Sequence, residues 1–118
     1  MSPFHFSPPS RTHSDERAIV LPADLASKTE LFAFLRQAIP LPEYFGNNWD
    51  ALEECLGDLG WLGNEKIALI HQDIPLKNKP ADQKTYLQIL MEAAGKSNRL
   101  SVVFPEQDRA FIVRLFSS

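Results

Sequence analysis

The chain has 118 residues, 44% of them hydrophobic and 23% charged, with 12 basic against 15 acidic side chains and a net charge of −3. That length suits a single domain of ordinary water-soluble composition, and the acidic balance argues against general nucleic-acid binding. No apolar run approaches the ~20 residues of a membrane span, and a lone cysteine, Cys55, excludes an internal disulfide.

Residues 1–17 contain Pro3, Pro8 and Pro9 among serines without periodicity, and are expected to form a flexible N-terminal arm. Residues 18–118 are expected to form the domain. Residues 18–21 make a short apolar run stopped by Pro22, a buried strand. Ser27 or Thr29 then caps a helix, with Glu30 in its first turn and Leu31, Phe34, Leu35 and Ala38 as its core stripe. Pro40 and Pro42 end that helix and stiffen the segment that follows. A second helix is expected from Asn47 or Asn48 to Leu56, released by Gly57 and Gly60.

Residues 66–71 (KIALIH) read as a second strand. Residues 81–94 read as the longest helix, with Tyr86, Leu87, Leu90 and Met91 inward, and residues 99–104 (RLSVVF) as a third strand. Residues 109–116 fit two periods: Phe111, Val113 and Leu115 alternate as in a strand, while Phe111 with Leu115 and Ile112 with Phe116 fit a helix. An extra C-terminal strand is the favoured expectation. Short apolar strands separated by helices indicate a small α/β sheet, parallel and helix-covered. No glycine-rich phosphate loop supports nucleotide binding.

Charge is uneven along the chain. Between Gln37 and Glu65 there is no lysine or arginine but six carboxylates: Glu43, Asp50, Glu53, Glu54, Asp58 and Glu65. Advancing ~100° per residue from Trp49 segregates the second helix into two faces. Trp49, Leu52, Cys55, Leu56 and Leu59 form the apolar one; Asp50, Glu53, Glu54 and Asp58 form the other. A solvated polar face is the ordinary explanation for surface acids. Helix surfaces usually mix acids with bases, however, and the aromatics Tyr44, Phe45, Trp49 and Trp61 surround this one. Phe45 and Trp49 are expected in the core, leaving Tyr44 and Trp61 as surface anchors. Cys55 reads as a small buried hydrophobe.

The segment LPEYFGNNWDALEECL, residues 41–56, resembles the barstar family of intracellular ribonuclease inhibitors. The likeness rests on the Leu-Pro-Glu-aromatic-aromatic-Gly loop, the Asn48 cap, Asp50-Ala51-Leu52 and the Cys55-Leu56 pair. Residues 87–93 (LQILMEA) are similar to the last helix of the family, and 100–104 to the strand after it. The resemblance covers residues 18–104. It implies a three-stranded parallel sheet packed with helices, and a loop and helix that plug a ribonuclease active site. By position it implies contacts from Tyr44, Gly46, Asn48, Asp50, Ala51, Gly57, Asp58 and Glu92. Glu54 stands where the family has an aspartate, Glu53 replaces a tryptophan and Trp49 a leucine. Trp61 matches the next tryptophan after a two-residue shift. Glu53, Glu54 and Trp61 complete the expected partner-binding set, and the altered pair favours a ribonuclease pocket shaped differently from that of barnase.

The expected function is therefore a bacterial antitoxin-type or immunity protein that binds a basic extracellular-type ribonuclease one-to-one. It would be monomeric when free, work in the cytoplasm, and use neither nucleic acid nor membrane as partner. A barstar-fold interaction module with a non-ribonuclease partner is the alternative. Catalysis is the weakest reading: Asp50, Glu53 and Glu54 offer carboxylates, but His5 and His13 lie in the arm, His71 lies on or beside a strand, and nothing else completes a site. No His/Cys/Asp spacing resembles a closed metal site, so no catalytic residue, metal ligand or cofactor is assigned.

Overall fold

The computed structural model describes residues 4–6, 16–39, 41, 46, 48–58, 65–97 and 99–117. Its elements in chain order are β1 (Phe4–Phe6), β2 (Glu16–Leu21), α1 (Lys28–Ala38), α2 (Trp49–Gly57), β3 (Lys66–His71), α3 (Pro80–Lys96), β4 (Leu100–Phe104), a 3-10 turn (Glu106–Asp108) and α4 (Arg109–Ser117). The four strands form one parallel sheet in the order β1-β4-β3-β2. The α/β class and the parallel sheet are as the sequence implied, with four strands in place of three.

The fourth strand comes from the opposite end of the chain to the one expected. Phe4–Phe6, assigned from sequence to a flexible arm, pairs in parallel with β4, Phe4 opposite Val102 and Phe6 opposite Phe104. Phe4 is buried, edge-on to Phe104 at 5.2 Å and to Phe116 of α4 at 6.2 Å. Residues 109–116, expected as a strand, are helical, within α4. The helical period wins because it buries Ile112 and packs Leu115 and Phe116 on the core, leaving Phe111 and Val113 exposed. The free edge of β4 is already taken by β1. Arg109 sits over the Phe6 ring at 4.8 Å, fastening α4 to the added strand.

Alternation along the strands divides the sheet. Ile19, Leu21, Ile67, Leu69, Leu100, Val102 and Phe104 enter the main core, while Ala68, Ile70 and Val103 form a smaller cluster on the other face. Ser27 caps α1, accepting from the Glu30 N–H at 3.2 Å. The buried residues of α1 are Leu31, Phe32 and Leu35, with Phe34 and Ala38 only half-buried, so its stripe is rotated towards Phe32. On α3 the inward set is Gln83, Tyr86, Leu87, Ile89, Leu90 and Ala93, and Met91 is half-buried. Each fully buried Leu, Ile or Phe contributes about 1.5–3 kcal/mol, several times the few tenths that like charges at i, i+4 cost α2.

Before α3, Leu76 adopts a left-handed backbone at φ 64°. That conformation costs a non-glycine residue about 1–2 kcal/mol. Full burial of the Leu76 side chain and its N–H bond to the Leu25 carbonyl at 2.9 Å offset it. Gln83 ties α3 to the same loop, donating to the Pro75 carbonyl at 3.0 Å.

His71 ends β3 inside the core, 1% exposed. Its Nδ1 lies 3.1 Å from the Val103 carbonyl and its Nε2 2.7 Å from the Tyr86 hydroxyl. A carbonyl can only accept, so Nδ1 carries the proton and Tyr86 donates to Nε2. Burial holds His71 neutral, lowering its pKa from 6.5 to about 4, and pushes the Tyr86 hydroxyl well above its usual range. The ring stacks on Phe104 at 4.2 Å. These contacts are those of a structural histidine.

Candidate acidic docking surface

Asn48 organises the start of α2. Its Oδ1 accepts the Ala51 N–H at 2.8 Å, and its Nδ2 donates to the Gly46 carbonyl at 3.3 Å. The cap therefore also ties the helix to Gly46. A Cβ at Gly46 would lie 3.3 Å from Asn48 Nδ2, pressing on the capping side chain. Asp50 stands in the first turn, where a carboxylate favours the helix dipole.

The two faces expected from sequence are present. Leu52, Cys55 and Leu56 are buried. Asp50, Glu53, Glu54, Gly57 and Asp58 are exposed, and Ala51 is half-buried against the core. Gly57 closes the helix, and the Asp58 N–H donates to the Glu54 carbonyl at 3.0 Å. Tyr44 and Trp61, expected as aromatic anchors, lie outside the described residues, as do Phe45 and Leu59.

Packing of α2 against α3 adds what linear spacing could not. A cleft of ≈ 140 Å³ between them is lined by Trp49, Asp50 and Glu53 on one side and by Thr85, Gln88, Ile89 and Glu92 on the other. Three of the candidate acids, Asp50, Glu53 and Glu92, are thus brought around one depression, while Glu54, Gly57 and Asp58 extend the surface along α2 outside it. Among the described residues, Asp50, Glu53, Glu54 and Glu92 have no ion-pair partner. Glu65, counted with the acidic run in sequence, pairs instead with Arg17 at 3.1 Å. The acidic surface is consequently smaller than the run suggests, and it gains Glu92.

Trp49 is half-buried and belongs to both core and surface. Its ring meets Phe32 at 5.0 Å and Tyr86 at 6.2 Å, and its indole N–H donates to Asp82 Oδ1 at 3.2 Å. Sequence reasoning missed Asp82, Thr85, Gln88 and Ile89. The available signal was their stripe on α3, since Asp82, Thr85, Ile89 and Glu92 follow helical spacing. No group of three or more His, Cys, Asp or Glu side chains suited to a metal ion occurs among the described residues. Nor is any described helix long and apolar enough to cross a membrane.

Fold and surface together define a small α/β protein with an acidic face on one helix and the edge of a second. The family model described as Barstar (barnase inhibitor) matches residues 19–113. The chain belongs to that family. The match leaves β1 outside. No curated protein matches the chain.

Proposed function

We propose that this chain is a ribonuclease inhibitor of the antitoxin type, acting in the bacterial cytoplasm by occupying the active site of a basic ribonuclease one-to-one. The observation that supports this is the gathering of Asp50, Glu53 and Glu92 around a single cleft, continuous with Glu54 and Asp58. A ribonuclease must hold phosphates with Arg, Lys and His. Carboxylates offer those cations charge-assisted acceptors, and their summed field accelerates encounter. In this reading Asp50, Glu53, Glu54 and Glu92 contact the cations, and Gly46, Asn48, Ala51, Gly57 and Asp58 shape the surface around them. Tyr44 and Trp61 supply aromatic contacts. The protein acts by occlusion, without a cofactor, metal or catalytic step of its own.

The test is a titration of basic extracellular ribonucleases, barnase among them, with the purified chain. RNA cleavage by the cognate enzyme should stop at one equivalent and persist with the Asp50→Ala/Glu54→Ala variant. The Glu53-Glu54 pair, which departs from the family pattern, also supports a second reading: the same face docking a basic protein that is not a ribonuclease. Failure to inhibit any ribonuclease would abandon the first reading. Wild-type-specific capture of a different basic protein would establish the second.

A further inference from the structure

The acids around the cleft repel one another, yet they sit on two separate helices, and something must hold those helices together when no partner is bound. Trp49 is the first residue of α2 and immediately precedes Asp50. Its indole N–H crosses to Asp82, in the first turn of α3, at 3.2 Å. On α3, Asp82 begins the helical stripe that continues through Thr85 and Ile89 to Glu92. One end of the stripe therefore grips α2, and the other supplies the opposing carboxylate of the cleft. A half-buried indole N–H needs an acceptor. The rings of Phe32 and Tyr86 pack near the Trp49 ring, and the acceptor its indole N–H finds is Asp82.

We propose that Asp82 is a positioning residue for the acidic docking face: by accepting the Trp49 indole proton it fixes the N-terminal end of α2 on α3, and with it the placement of Asp50 and Glu53 opposite Glu92. The inference rests on the docking reading above for its functional consequence. Its structural content stands independently. Asp82 lies outside the cleft lining, so it acts through Trp49 and need not touch the partner. A face assembled in advance spares the partner the cost of ordering it, and that advantage is lost when the two helices drift.

The experiment compares Asp82→Leu, which removes the acceptor, with Asp82→Asn, which keeps an acceptor oxygen without the charge. In the free protein, residual dipolar couplings report the orientation of α2 relative to α3, and hydrogen exchange reports the Trp49 indole. Asp82→Leu should reorient α2 and speed indole exchange, while Asp82→Asn should match the wild type in both. Binding is probed with barnase, and Asp50→Ala is measured in parallel. Asp82→Leu should weaken affinity about tenfold, the scale of one hydrogen bond to a charged group, and Asp82→Asn should restore most of it. Unchanged couplings and exchange in Asp82→Leu overturn the proposal whatever the affinity. So does an Asp82→Asn variant that behaves like Asp82→Leu, since charge rather than the hydrogen bond would then be responsible. If Asp50→Ala weakens binding but Asp82→Leu does not, the positioning role is overturned and the docking reading survives. If barnase does not bind, or Asp50→Ala has no effect, the docking reading fails for this partner, and the couplings still decide whether Asp82 orients α2.

Discussion

Replacing the His71–Tyr86 pair by leucine and phenylalanine should flatten the pH dependence of folding between pH 6.5 and 4. In the native protein His71 is neutral, its proton on Nδ1 facing the Val103 carbonyl and its Nε2 accepting from Tyr86. A second proton would place a positive charge on a ring that is buried in the core. Burial therefore lowers the pKa from 6.5 to about 4. That interval corresponds to about 3 kcal/mol. The sign follows from proton counting: between the two values the unfolded chain binds a proton that the native protein does not. Stability is full above pH 6.5 and is lost as pH falls towards the native value near 4. Urea unfolding at half-unit steps from pH 7 to 4 measures it, with the His71→Leu/Tyr86→Phe variant as reference. That variant removes both partners, so neither is left buried and unsatisfied by the other. Asp108 contributes with opposite sign, because burial and then the nearby Asp73 raise its pKa against the opposing effect of Lys77. That contribution is common to both proteins and cancels in the difference. Equal slopes for wild type and variant across pH 6.5 to 4 would refute the argument.

On the docking face, Asp50→Ala and Glu54→Ala should each weaken binding to the cognate ribonuclease by about 2–5 kcal/mol if the charge is buried in the complex. That range is informed by barnase–barstar itself, and calorimetry with unchanged affinity in both variants would remove these residues from the interface. Association should slow as salt rises, because exposed charges are screened beyond ~8–10 Å; a stopped-flow rate that ignores salt would rule out steering by this patch. Asn48→Ala should lower folding stability by about 0.5–2 kcal/mol through loss of the bond to the Ala51 N–H. Thermal unfolding identical to wild type would show that the cap contributes nothing.

What the sequence determined was local. The 3.6-residue period and an Asn cap placed α2 and its two faces, because both depend on residues within four positions of one another. The apolar run KIALIH fell on β3 residue for residue. The composition and order of short strands and helices were enough for the α/β class, and residues 41–56 were enough for the family. The tertiary structure decided everything that joins distant residues. Phe4–Phe6 carries no periodic signal in three residues; it is a strand because β4 offers an edge and Phe104 and Phe116 receive Phe4. Residues 109–116 satisfy both periods, and the burial of Ile112 with the packing of Leu115 and Phe116 selects the helix. The acidic run likewise misstated the surface: Arg17 draws Glu65 away, and helix packing brings in Glu92. Charge patterning identified which helix carries the face. The packing of α2 on α3, with Trp49 bonded to Asp82, decided which acids stand together.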